Sequence, residues 1–390
     1  MSPLPEMIVE LPARGIFGAG SSKQIGAEIR RLGASRVLLV TDEFMLSSGP
    51  AEVVKEAIEA DGIDCALFAD VQPDPTDLNV IAGLESVRAA GAEAVVAFGG
   101  GSVLDAAKMI AVLVTNQEPI RTYRGYHQIP TAGLPLIAIP TTAGTGSEAT
   151  RVAVITDTEH DEKLMILDGN LVPDVAIVDY ELSATMPPSL TAFVGIDTLT
   201  HGVEAYVSSL AGPLTDALAI TCVRLVGENL ERAWNDGGDL EARAGMAIAA
   251  YAGGAAFANA SVGLVHGMSR PIGAIFHVPH GLSNAVLLPT VTRFSLSGRH
   301  QRYAELSRVV GFATPDDDDA AATQRLIDGL VGLNERLQVP RLGALEQLEV
   351  ERFGASVAKM ASDALASGSP DRNPVVPSEE EIVALYKEAW

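Results

Sequence analysis

The sequence predicts an α/β plus all-α protein, with a parallel-sheet domain over residues 1–187 and a helical domain over residues 188–390. Three observations carry this. The first half alternates short β-branched runs with amphipathic stretches, the pattern of strands and covering helices in a parallel sheet. After MPPSL, residues 186–190, the β-runs stop and nearly everything is Ala-rich and helical in pattern. At 390 residues the chain also exceeds one core of ordinary size, so two domains are the default expectation.

The elements are taken in chain order. RVLLVTD is a strand, SGPAEVVKEAIEADG a helix, CALFADV a strand, TDLNVIAGLESVRAAG a helix, AEAVVAFGGG a strand and SVLDAAKMIAVLVTN a helix. LPLIAIP, RVAVITD and DVAIVDY add strands up to Asp179. The boundary belongs near Pro187 and Pro188, and helices such as ALAITCVRLVGENLERAW and EARAGMAIAAYAGGAAFANA fill the C-terminal half. The acidic run Asp316–Asp319 reads as the cap of a helix N-terminus, and Ser378 with Glu381 as the capping box of a last helix. Upstream, FGAGSSKQIG begins a G-x-G pattern, but no β-run precedes Gly18 and the third glycine is missing, so it is set aside.

Composition excludes several functions. With 27 basic against 50 acidic residues the net charge is -23, which repels phosphate backbones and anionic membranes, so neither nucleic acid nor a membrane is expected as a partner. MSPLPEMIVELPARG lacks the basic start and apolar run of a leader, and no segment has the apolar length of a span; a soluble, cytoplasmic protein is expected. Cys65 and Cys222 are too few for a disulfide framework and show no CxxC spacing.

Chemistry concentrates in three places. In AEAVVAFGGGSVLDAAK a buried-type strand runs into Gly99, Gly100, Gly101 and Ser102 and then a helix carrying Asp105 and Lys108. Glycines let backbone N–H groups close on a phosphate, and the helix N-terminus behind them favours negative charge. Read alone, the stretch also suits a plain tight turn. A second turn, IAIPTTAGTGSEAT, supplies Thr141, Thr142, Thr145 and Ser147 where another strand ends, and two such turns suit a dinucleotide. Asp42, closing RVLLVTD, is placed to accept from ribose hydroxyls and to repel a 2'-phosphate, which favours NAD over NADP; a turn-forming role is the alternative.

The third place is TAFVGIDTLTHGVEAYVS, where Asp197 and His201 lie four apart on one helix face with Glu204 three further along. A buried Asp–His pair is either mutually satisfied or a pair of ligands. Adding His266 and His280 from GLVHGMSRPIGAIFHVPHG makes one carboxylate and three imidazoles, a set suited to Fe2+ or Zn2+ rather than magnesium or calcium.

Together, TDEF, FADVQPDPT, GGGSVLDAAK, PTTAGTGSEAT, MPPSLTAFVGIDTLTHGVEAYVS, GLVHGMSRPIGAIFHVPHGLSNAVLLP and IVALYKEAW resemble the iron-containing, group III alcohol dehydrogenase family, of the lactaldehyde reductase and 1,3-propanediol dehydrogenase type. The resemblance spans essentially the whole chain. It implies a dehydroquinate synthase-like fold, an active site in a cleft between the two domains, and a homodimer or larger homo-oligomer. It makes Asp197, His201, His266 and His280 the metal ligands. It gives Asp42, Gly99 to Ser102, Thr141, Thr142, Thr145 and Lys163 to the NAD, with Asp74 and Asp105 counted alongside them.

Departures from the family pattern matter as much. Arg270 stands where relatives carry a histidine, so the relay assigned to that position does not transfer. His277, three before His280, is a candidate replacement relay or a polar lining residue. Asp74 stands where Asn is common and adds negative charge against NADP. The Arg270 guanidinium is suited to clamp an anionic aldehyde, while a structural ion pair is the plainer reading. The expected reaction is hydride transfer between NAD(H) and a small alcohol or aldehyde. The rivals are a glycerol-type polyol dehydrogenase, a reductase of an acidic aldehyde bound by Arg270, a metal-free maleylacetate-reductase-like enzyme, a dehydroquinate-synthase-like cyclase and a non-catalytic binder. The lysine-free stretch from Asp197 to His280 argues against the cyclase.

Overall fold

A computed structural model describes residues 7–117 and 119–390, which fall into two units. The first, Glu10–Ala184, holds all the strands among the described residues. In chain order its elements are β1 (Arg14–Phe17), α1 (Ile25–Arg31), β2 (Arg36–Val40), α2 (Glu43–Ser47), α3 (Pro50–Ala60), β3 (Asp64–Phe68), α4 (Asp77–Ala90), β4 (Ala94–Gly99), α5 (Gly101–Leu113), β5 (Gly125–Tyr126), β6 (Leu136–Pro140), β7 (Val152–Asp157), β8 (Glu162–Leu167) and β9 (Val175–Val178). Six strands form an all-parallel sheet in the order β1-β9-β6-β4-β2-β3.

Alternation along the strands builds a core on each face. Leu38, Val40, Val95 and Ala97 point to one side and pack with Val80 and Val87 of α4 and Leu104 and Ile110 of α5. Val37, Leu39, Val96 and Phe98 point to the other and pack with Ile25 and Ile29 of α1 and Val54 and Ile58 of α3. Burial on both faces is why β4 and β6 appear in the sequence as unbroken apolar runs.

Three features differ from the sequence reading. VAVITD does not join the parallel sheet: as β7 it pairs antiparallel with β8 in a separate three-stranded sheet, and its alternating burial suits a sheet covered on one face. Its partner EKLMIL is a strand the sequence reading omits. A strand does precede Gly18, since RGIF is β1; an edge strand with mostly exposed residues has no apolar run to show.

The second unit begins at Thr185, just ahead of the expected boundary, and residues 7–9 also belong to it. Its helices are α6 (Pro188–Val207), α7 (Pro213–Asn235), α8 (Leu240–Ala260), α9 (Leu264–Phe276), α10 (His280–Ser295), α11 (His300–Val309), α12 (Asp319–Arg336), α13 (Val350–Ala366) and α14 (Glu379–Ala389). Pro187 and Pro188 open α6, where a missing N–H costs nothing. Asp318 caps α12 by accepting from the Ala321 N–H, and Ser378 and Glu381 form the capping box of α14. Among the described residues, no single helix is long and apolar enough to cross a membrane.

Candidate metal centre and nucleotide-binding turns

The helical unit brings Asp197, His201, His266 and His280 together. Asp197 and His201 share one face of α6, His266 lies in the first turn of α9 and His280 opens α10. From Asp197 Oδ1, the Nε2 atoms of His266, His201 and His280 stand 3.5, 3.6 and 3.9 Å away. Donors held about 2.1 Å from an ion at tetrahedral angles stand roughly 3.4 Å apart, so the spacing fits a divalent ion with these ligands. The donor chemistry also fits Fe2+ or Zn2+, with one carboxylate and three imidazoles. Asp197, His201 and His266 are buried, whereas the His280 side chain is 47% exposed at the rim of the group while its Nε2 is turned in against Asp197 and Asn284.

The surroundings orient these donors. Glu204, on the same face of α6, accepts from His266 Nδ1 at 2.6 Å and from the Val265 backbone N–H at 2.6 Å. The first bond turns His266 Nε2 toward Asp197; the second satisfies an orphan amide at the start of α9. Gly263, which precedes α9, makes room, because a Cβ there would lie 3.1 Å from Glu204 Oε1. The Phe257 ring of α8 stacks on His201 at 4.4 Å between centroids and restricts its tilt. The amide of Asn284, one turn beyond His280, donates to Asp197 Oδ1 at 2.6 Å.

Burial opposes ionisation of Asp197, but His201, His280 and His266 outweigh it and hold its carboxyl well below the usual carboxylate range. For His280 the balance goes the other way. Desolvation pushes its imidazole down, and His266, His201 and Arg270 add to this against the pull of Asp197. Burial lowers His266 as well, but Glu204 and Asp197 outweigh it and raise its imidazole, so an ion entering here competes with a proton on that ring.

Arg270 lies one turn beyond His266, half-buried, and its Nη1 donates to the buried Ser369 hydroxyl at 2.7 Å. His277 is exposed and takes the left-handed conformation (φ 55°) that ends α9, its N–H donating to Gly273 O. That turn redirects the chain so that His280 opens the next helix. Burial pushes the Cys65 thiol up to about 11 and the Cys222 thiol up to about 12, so neither is a thiolate at neutral pH.

In the α/β unit, β4 ends at Gly99, Gly100 is the N-cap and α5 starts at Gly101. The second turn packs directly on the first. The Thr141 N–H donates to Gly99 O, Thr142 approaches Gly100, and a Cβ on Gly101 would lie 2.7 Å from Thr145 Cγ2. Lys108 fastens the second turn from below, donating to Ser147 Oγ, Thr150 Oγ1 and Val152 O at 2.8, 2.9 and 2.7 Å. The Asp105 carboxylate, grouped with the cofactor contacts by sequence, accepts from Ser147 Oγ at 2.6 Å and the Val154 N–H at 3.0 Å. It is thus engaged in holding the same turn.

Asp42 follows β2 and caps α2, its Oδ1 accepting from the Met45 N–H at 2.8 Å. Asp74, exposed and with φ 54°, forms an ion pair with Lys163 of β8, which offsets the negative charge expected from it. The upstream FGAGSS turn has an internal anion: the Gly20 and Ser22 N–H groups and the Ser22 hydroxyl all donate to the Asp179 carboxylate. Its glycines are therefore committed to a side chain of the same unit.

Glu204 is visible on the ligand face from spacing alone, whereas Phe257 and Asn284 are not. Nothing in the local pattern marks either, since both reach the centre through packing of distant segments.

The iron-containing alcohol dehydrogenase model matches residues 12–180, and the C-terminal model of the Fe-containing alcohol dehydrogenase family matches residues 191–390. The chain is 38% identical to the NAD-dependent methanol dehydrogenase of Bacillus methanolicus, over 97% of this chain and 98% of that protein. The crystal structure of a 1,3-propanediol oxidoreductase superposes with a TM-score of 0.94 at 34% identity, covering 99% of this chain and 100% of that one. A sulfoacetaldehyde reductase from Bifidobacterium kashiwanohense, solved with NAD+, superposes with a TM-score of 0.88 at 30% identity, over 99% of both chains. With both halves matched in order, the chain belongs to the iron-containing alcohol dehydrogenase family.

Proposed function

We propose that this chain interconverts a small primary alcohol and its aldehyde with NAD(H), using a divalent ion held by Asp197, His201, His266 and His280. One observation carries the reading: Asp197, His201 and His266 bring donor atoms within 4.8 Å of one another, and His280 Nε2 stands 3.9 Å from Asp197 Oδ1, spacings that suit one ion. The ion, Fe2+ or Zn2+ in its place, would supply polarisation of the substrate oxygen, and the nicotinamide would supply or accept the hydride. The residues of this chain do the rest. Asp197 supplies the single negative charge among the donors, Glu204 sets the His266 tautomer, and Phe257 holds the His201 ring. The turns at Gly99 to Ser102 and at Thr141 to Thr145 hold the pyrophosphate, and Asp42 accepts from the ribose. The exposed His277 passes the alcohol proton to water.

Assembly as a homodimer or larger homo-oligomer, which rests on the family resemblance, and a cytoplasmic setting complete the reading; sedimentation of the purified protein measures the first part. Absorbance at the NADH band tests the activity. Fe2+-loaded protein with butanol or propanediol and NAD+ is expected to generate NADH, and a protein that binds NADH without turnover would sink the proposal.

A second reading has its own support. Arg270 sits one turn from His266, adds its charge to those acting on His280, and is held by Ser369, a placement suited to an aldehyde bearing a carboxylate or sulfonate. The sulfoacetaldehyde reductase among the similar structures is in keeping with that class. Arg270→Ala is then expected to lose rate on acidic aldehydes and spare neutral ones; equal loss on both rules the clamp out.

A further inference from the structure

Asn284 is fully buried on α10, one turn beyond His280. Its amide nitrogen stands 2.6 Å from Asp197 Oδ1, 3.1 Å from His266 Nε2 and 3.2 Å from His280 Nε2. One side chain thus touches donor atoms from three different helices. Its carbonyl oxygen is buried without a hydrogen-bond partner among the described residues. A side chain present only to fill space has no use for an amide here. Leucine avoids the cost of an unpaired buried acceptor, so the retained amide calls for a functional explanation.

We infer that Asn284 is a positioning residue of the metal centre. Its N–H fixes the Asp197 carboxylate against the two imidazoles and thereby sets the affinity and ligand field of the bound ion. The inference rests on reading Asp197, His201, His266 and His280 as the ligands. Asp197 is the vertex from which all three imidazole nitrogens are 3.5 to 3.9 Å away, so rotation of its carboxylate disturbs every spacing at once. The Asn284 donor restrains that rotation directly, in the way that hydrogen bonds to metal-bound groups generally tune affinity.

The test uses Co2+ as the probe on full-length wild type, Asp197→Ala, Asn284→Ala and Asn284→Asp, with affinity from chelator competition and the ligand field from visible absorption. Asn284→Ala is expected to bind Co2+ about 10- to 100-fold more weakly and to shift the bands. Asn284→Asp keeps the side-chain volume but puts an acceptor against Asp197, so its bands shift even if the alanine variant folds poorly. Circular dichroism and melting of the chelated proteins separate loss of fold from loss of metal. If Asp197→Ala binds Co2+ like wild type, the ligand assignment itself fails. If Asp197→Ala loses binding while both Asn284 variants keep the wild-type affinity and spectrum, the ligands stand and the role of Asn284 is overturned.

Discussion

Glu204 holds His266 by its Nδ1 at 2.6 Å while its other oxygen accepts the Val265 N–H at the same distance, so one carboxylate sets both a ligand ring and the start of the helix that carries it. Glu204→Gln keeps the shape but weakens the acceptor at the imidazole. Metal affinity measured by chelator competition should fall roughly 10- to 100-fold, and Glu204→Ala should in addition lower stability by about 1–3 kcal/mol through the stranded Val265 amide. Unchanged affinity in the glutamine variant would count against the orienting role.

Gly101→Ala tests the nucleotide turn. The added Cβ would meet Thr145 Cγ2 at 2.7 Å and Thr145 Cβ at 3.2 Å, so the Thr145 side chain must move and the packing of one turn on the other is disturbed. NADH affinity, read by fluorescence titration, should weaken by about tenfold or more, equivalent to roughly 1.4 kcal/mol. Metal content should stay as in wild type, because Gly101 and the ligands lie in separate units.

Asp42→Asn separates charge from capping. Asparagine caps a helix about as well as aspartate, so stability should change by less than about 0.5 kcal/mol. Removing the charge lifts the repulsion of a 2'-phosphate, and the ratio of kcat/KM with NADPH to that with NADH should rise about tenfold. An unchanged ratio would leave Asp42 with only its bond to Met45.

A buried acid gives a pH signature. Glu148 is 2% exposed, and burial pushes its carboxyl up to about 7 against its own backbone N–H and the charge of Lys108. Between pH 4.5 and 7 the folded protein therefore binds a proton that the unfolded chain has released, and stability contributed at this position falls as pH rises through that window. Glu148→Gln removes the slope. In chelator, its melting temperature should exceed that of wild type at pH 8 by the equivalent of about 1–3 kcal/mol, and the two should converge near pH 4.5. A constant difference across the range would contradict the assignment.

The sequence shows most of this architecture where the physics is local. Strands buried on both faces, such as AVVAFG, stand out as apolar runs, and caps such as Ser378 are set within one turn. The edge strand RGIF is hidden and the pair made by β7 and β8 is misplaced, because an exposed edge has no pattern and pairing partners are not encoded within either segment. The four proposed ligands are readable through joint motifs, and Asp197, His201 and Glu204 also through helical spacing. Asn284 and Phe257 become significant only once α10 and α8 pack against α6, and the inward turn of Asp105 toward Ser147 depends on contacts some forty residues away.

The central claim is that one divalent ion, held by Asp197, His201, His266 and His280, is required for NAD-linked alcohol oxidation. The most direct measurement is metal content per chain and NADH production, taken together, for anaerobically purified wild type and His266→Ala. The account predicts about one ion per chain with turnover in wild type, and the loss of both in the variant, with turnover in stripped wild type restored by Fe2+. Full turnover by metal-stripped wild type, or wild-type metal content and turnover in His266→Ala, would contradict it.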